Sequence, residues 1–231
     1  MKTVLLLHGA LGSDLQLIKI KEALTYKGFS VLSLNFSGHS GKPFEDRFGI
    51  EVFGNDVLEF LDKMKLASVD IFGYSMGGYV ALWLACQFPS RIGKIVTLGT
   101  KFDWSPESAA HETKKLNAEK IMEKVPAFAR ILESRHAPND WRLLMHRTAE
   151  MMIALGANPL LDQEKLQTIE SPTCVLLGDL DDMADREFSR QVSRALPKGK
   201  FMLLKDTPHP IEKVNIATLA KLISDFLLEE S

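Results

Sequence analysis

Two cysteines in 231 residues leave nothing from which to build a disulfide framework. Cys86 and Cys174 each sit inside an apolar run, ALWLACQF and PTCVLLG, where a free thiol behaves as a small buried hydrophobe. That usage fits a reducing compartment, and a cytoplasmic protein is expected. Long hydrophobic runs are also missing: no segment approaches the roughly 18 consecutive apolar residues that a membrane span needs. The opening MKTVLLLHGALGS resembles a signal peptide in outline, but His8 interrupts its apolar run after Leu7. An h-region needs roughly 7 to 15 apolar residues, so this stretch is read as a strand. Charge of one sign is lacking too. With 28 Lys and Arg against 30 Asp and Glu, the formal net charge of −2 supplies neither a footprint for nucleic acid nor a polybasic run for an anionic membrane. No repeat, low-complexity tract or linker is visible. The chain is long enough for one α/β core with a small insertion and short for two full domains.

What is present is a series of short apolar runs bounded by Gly, Asn or Asp, at residues 4–7, 31–34, 69–72, 95–98, 174–177 and 201–204. They are continuous rather than alternating, as in strands buried on both faces of a parallel sheet. Helical patterns lie between them. Ser13 and Gln16 form an S-x-x-Q start, and Gly28 a stop, for a first helix. Residues 76–88 are apolar almost all round and halt at Pro89, which predicts a central helix against the sheet. Residues 212–228 place Val214, Ala217, Ala220, Ile223 and Leu227 at helical spacing, one buried stripe on a last helix. Strand and helix in alternation mean a doubly wound sheet. The alternation fails between 101 and 157, where three or four helices are expected, starting at Ser105-Pro106, Asn117 and Asn139-Asp140. The expected organisation is therefore a core of 1–100 and 158–231 with a helical lid of 101–157 over the ligand-binding end of the sheet.

The stretch Gly73-Tyr74-Ser75-Met76-Gly77-Gly78 carries the most chemistry. A serine on a sharp strand-to-helix turn is held in a strained conformation, and its flanking neighbours must lack a Cβ. G-x-S-x-G arises by chance in roughly one chain of this length in a dozen, so its position between an apolar strand and an apolar helix is what gives it weight. There the Ser75 hydroxyl lies over the positive end of the helix dipole and the Met76 N–H is free to donate to an oxyanion. His8-Gly9-Ala10 ends the first strand, and the Ala10 N–H, with Leu11 behind it, is the expected second donor. Among six histidines, His209 follows the last strand, precedes the last helix and is bracketed by Pro208 and Pro210, the placement of a general base. His8 and His39 are expected to shape turns, and His111, His136 and His146 to lie on the surface or the pocket wall. Acid candidates to orient the imidazole are Asp179, Asp181 and Asp182 in GDLDD. A metal site there is not expected, because no Gly sits at the bend of a cation loop and no histidine is near.

Taken together, LLHGALGS, SGHS, GYSMGGYVALWLACQFPSRIGKIVTLGT, SPTCVLLGDLDD and TPHPIE resemble the small single-domain serine esterases of the α/β-hydrolase superfamily over nearly the whole chain. The resemblance implies an α/β-hydrolase fold. It also maps the family's G-x-x-D element onto Gly178 and Asp181, making Asp181 the acid and His209 the base, with Asp103 in reserve because some members place the acid one strand earlier. Three features depart from the family pattern. The chain starts directly at the strand before the HG turn, so six strands are expected; the usual Asp-x-Arg-Gly loop reads Asn35-Phe36-Ser37-Gly38; and Pro208 replaces the Gly before the histidine. Serine rather than aspartate at the turn disfavours dehalogenase and epoxide hydrolase chemistry. Leu11, Tyr74 and Trp104 are expected to line a substrate pocket, under a lid rich in Met and aromatic residues whose nine basic and eight acidic side chains recruit no anion. The leading expectation is a cofactor-independent, metal-free serine hydrolase cleaving a small or medium apolar ester or thioester through an acyl-enzyme. A carbon–carbon bond hydrolase or lyase with the same triad, and a non-catalytic binding protein on the same fold, are the alternatives.

Overall fold

A computed structural model describes residues 2–229. Six strands, β1 (Thr3–Leu7), β2 (Ser30–Ser33), β3 (Val69–Tyr74), β4 (Ile92–Leu98), β5 (Thr173–Leu180) and β6 (Gly199–Pro208), form one sheet in the order β2-β1-β3-β4-β5-β6. Every pairing is parallel. Successive side chains of a strand point to opposite faces. Leu5, Leu7 and Ile71 accordingly join one core layer, and Val4, Leu6 and Phe72 the other. Both layers are apolar, which is why the strands read as unbroken hydrophobic runs.

The first layer is closed by α2 (Ile50–Lys63), α3 (Met76–Gln87) and α9 (Arg186–Ala195), the second by α1 (Ile18–Tyr26) and α10 (Ile216–Leu228). Residues 76–85 of α3 are all buried, as its all-round apolar sequence requires. The last helix starts at Ile216 rather than at 212, because the Asn215 side chain accepts the Thr218 N–H at 3.0 Å and caps it there. A single 3₁₀ turn, Ile211–Lys213, occupies the stretch before it.

Between β4 and β5 run α4 (Pro106–Thr113), α5 (Ala118–Lys124), α6 (Pro126–His136), α7 (Trp141–Ala157) and the short α8 (Gln163–Gln167). Ser105, Asn117 and Asp140 cap α4, α5 and α7 by accepting the backbone N–H groups of Ser108, Lys120 and Arg142 at 3.1, 2.8 and 2.9 Å. No helix is long and apolar enough to cross a membrane among the described residues. The strand order reverses between β1 and β3, and in an open parallel sheet the crevice beyond the strand ends at such a reversal is where ligands bind. Ala10 lies just beyond the end of β1 and Ser75 just beyond the end of β3.

Candidate active site

Ser75 has φ 51°, the left-handed region, at the single residue between β3 and α3. The turn is tight enough that a Cβ on Gly73 would come within 2.5 Å of the Gly77 carbonyl oxygen, and one on Gly77 within 2.4 Å of the Leu7 oxygen. Glycine is therefore a steric requirement at both positions. The backbone of the turn is fixed from β4: Ser75 N–H donates to the Leu98 carbonyl at 2.8 Å and Thr100 Oγ1 donates to the Ser75 carbonyl at 2.9 Å. Met76 is the first residue of α3, so its N–H has no acceptor within the helix and points at whatever lies before it.

His209 follows β6, and its Nδ1 lies 2.8 Å from Asp181 Oδ2, with the two side chains 9% and 2% exposed. The other carboxylate oxygen of Asp181 accepts the Met183 and Ala184 N–H groups at 2.9 and 3.0 Å. Asp181 is thus held from three sides in an orientation that sets the His209 Nδ1 as the protonated nitrogen, leaving Nε2 as acceptor. Asp179 instead accepts the Thr207 N–H at 3.1 Å, which holds its carboxyl below the usual range, and Asp182 is exposed. Asp103, the reserve acid, is engaged by Lys101 Nζ at 2.8 Å.

Ser75, His209, Met76 and Ala10 border one cavity of about 40 Å³, closed by Ile50, Tyr79, Met183 and, from the insertion, Trp104, Glu112, Met151, Met152 and Leu155. Residues from the helical segment between β4 and β5 therefore supply part of the cavity wall. Of the three residues expected in the pocket, Trp104 borders it and the other two do not. Tyr74 is buried beneath the site, where its hydroxyl donates to the His209 carbonyl at 3.0 Å and burial pushes its phenol up. Leu11 turns away and packs against the lid cluster of Ala129, Leu132, Trp141 and Met145. Sequence reasoning also missed Gly99, at φ 61°, where a Cβ would lie 2.9 Å from Asp181 Oδ2 and 3.2 Å from His209 Nδ1. The LGT that ends β4 was its only signal.

The remaining histidines divide sharply. His146 is on the surface beside Glu150, and His111 is exposed. His136 is neither surface nor pocket wall but fully buried, and with His8 and His39 it forms a row of rings with centroids 4.9 and 5.7 Å apart. Each bonds to backbone as a neutral ring: His8 to the Gly9 carbonyl and the Phe36 N–H, His39 to the Ser37 carbonyl. Burial draws His8 and His136 down to about 4 and His39 well below the ordinary imidazole value. The unfolded chain then binds protons that the folded chain does not between pH 6.5 and 4. Stability is full above pH 6.5 and falls as the pH drops through that window, by on the order of a few kcal/mol for His8 and His136 together. Urea denaturation at stepped pH is expected to show this fall; a flat profile from pH 7 to 4 would contradict the buried neutral assignment.

A doubly wound parallel sheet with a left-handed serine at a strand-to-helix elbow, and a buried aspartate–histidine pair beside it, defines the architecture of a nucleophile-elbow hydrolase. The chain belongs to the alpha/beta hydrolase fold family, whose model matches residues 2–130. Its similarities to individual proteins are more distant. It is 32% identical over 111 residues to the sn-1-specific diacylglycerol lipase ABHD11 of Xenopus tropicalis, a match spanning 48% of this chain and 34% of that one. Over 98% of its length, and 90% of the other's, it is 24% identical to a Bacillus subtilis protein carrying the name 2-succinyl-6-hydroxy-2,4-cyclohexadiene-1-carboxylate synthase. The enol-lactonase of Burkholderia xenovorans LB400 superposes with a TM-score of 0.79 at 23% identity, covering 99% of this chain and 92% of that one.

Proposed function

We propose that this chain is a serine hydrolase of short apolar carboxylic esters or thioesters, acting through an acyl-enzyme on Ser75. The observation that carries the reading is the buried 2.8 Å pair of Asp181 and His209, whose imidazole borders the same small cavity as Ser75. His209 Nε2 takes the Ser75 Oγ proton as the hydroxyl attacks the acyl carbon, and Asp181 stabilises the imidazolium that forms. The oxyanion of the tetrahedral intermediate is received by the Ala10 and Met76 N–H groups, each such donor being worth about 3 to 4 kcal/mol in the transition state. Collapse expels an alkoxide or thiolate, which takes the proton from His209, and water then repeats the sequence on the acyl-enzyme.

Cavity size favours the short end of the acyl range. A cavity of about 40 Å³ suits a short acyl tail better than a fatty chain. Met76, Met151, Met152 and Met183 supply an apolar, deformable lining. A lipase and a lactonase among the similar proteins act on ester bonds by name. The second reading, carbon–carbon bond hydrolysis or elimination with the same triad, is favoured by the Bacillus subtilis protein matched over nearly the full chain.

A panel of p-nitrophenyl esters of two to twelve carbons, run beside an acyl-thioester and a vinylogous diketone, separates these readings. Turnover should peak at two to four carbons and fall steeply beyond. Diketone cleavage without ester or thioester turnover would move the assignment to carbon–carbon chemistry, and no turnover of any kind to a binding protein on this fold.

A further inference from the structure

The turn that carries Ala10 is held from the lid. Leu11, the next residue, sits at φ 55°, a left-handed conformation that a branched aliphatic residue adopts only when its surroundings impose it. Within the turn, one backbone bond, Gly12 N–H to the Gly9 carbonyl at 3.1 Å, spans the residue. Everything else that fixes Leu11 comes from across the sequence. Its carbonyl accepts Arg135 Nη1 at 2.9 Å and His136 Nε2 at 3.0 Å, both from the last turn of α6, and its side chain packs on the apolar faces of α6 and α7.

His136 is suited to this by its tautomer. Its Nδ1 accepts the Ser40 N–H at 3.1 Å, so the ring proton is on Nε2 and faces the Leu11 carbonyl. Arg135 is tied in turn toward Glu212, whose Oε1 is 4.0 Å from Nη2 and also accepts Gln16 Nε2 at 2.5 Å. Just past α6, Asn139 Nδ2 donates to the Gly38 and Lys42 carbonyls at 3.1 and 2.6 Å. One corner of the lid therefore grips the loops after β1 and β2 together.

We infer that Arg135 and His136 are positioning residues that aim the Ala10 N–H into the site by clamping the Leu11 carbonyl, so that the oxyanion hole is assembled only while α6 is seated. The inference rests on the acyl-transfer reading for its catalytic consequence, and the clamp itself is testable without it. Neither side chain borders the cavity, so substrate binding should not feel their loss.

The test uses Arg135→Met and His136→Phe, singly and together, with His136→Gln as the conservative variant whose carboxamide N–H can still reach Leu11. Active sites are counted with a fluorophosphonate and kcat is expressed per titrated site on p-nitrophenyl acetate. The double variant should lose about 10- to 100-fold in kcat, short of the deletion of a whole donor, with KM within about threefold of wild type. His136→Gln should recover most of the single-variant loss. Amide exchange should quicken in residues 9–12 and in α6 together. If the variants lose only titratable sites while kcat per site holds, the pair serves stability alone and the inference falls. Should the wild type hydrolyse no ester, the functional reading fails, while unchanged exchange at residues 9–12 would still overturn the clamp.

Discussion

Ser75→Ala should lower kcat/KM on the best short ester by about 10⁶-fold, to what the oxyanion donors and binding alone provide. The fold should not register the change. Ser75 contributes to the structure through its backbone, by the bonds from its N–H to Leu98 and from Thr100 to its carbonyl, and alanine tolerates the left-handed turn no worse than serine does. A folded variant that kept even a hundredth of the activity would remove Ser75 from the mechanism, whereas one that unfolded would contradict the purely backbone role of Ser75 in the structure. Thermal unfolding measured beside the kinetics distinguishes the two failures.

Asp181→Asn carries the second largest expected effect, about 10⁴-fold in kcat. The reason lies in the bonds on both sides of the carboxylate. Because Oδ1 accepts the Met183 and Ala184 N–H groups, the asparagine carbonyl will take that side and turn its NH₂ toward His209. The imidazole must then accept at Nδ1 and carry its proton on Nε2, the nitrogen that has to receive the proton of Ser75. Asp179→Asn keeps an acceptor for the Thr207 N–H, and Asp182 is exposed, so both amides should stay within about tenfold of wild type. If Asp179→Asn were the crippled variant, the acid would be misassigned by two residues.

The layout of the core was legible in sequence because burial on both faces removes polar residues from a strand. The runs at 4–7 and 95–98 fall inside β1 and β4 for that reason. Edge strands are less explicit. β6 runs from Gly199 to Pro208, well beyond the apolar run at 201–204; it lies at an edge of the sheet, and Lys200, Lys205 and Asp206 within it are exposed to water. At the site, the elbow was readable since its glycines answer a local steric demand. The loop after β5 was readable as a set of three acid candidates, Asp179, Asp181 and Asp182, among which the family resemblance alone pointed to Asp181. The grip of Arg135 and His136 on Leu11 was not, since it joins residues 124 and 125 positions apart through a backbone carbonyl, which leaves no trace in residue type. Tyr74 was misplaced for a related reason: a position beside the serine turns under the sheet or over it according to a strand register that only the fold fixes.

The central claim is that Ser75 is an activated nucleophile. Incubating the folded protein with a fluorophosphonate and mapping the adduct by mass spectrometry tests it most directly, because a hydroxyl reacts quickly only beside a base and an oxyanion hole. One adduct per chain is expected, on Ser75, absent from Ser75→Ala and formed far more slowly in Asp181→Asn. No adduct on correctly folded wild-type protein, or an adduct on any other residue, would contradict it.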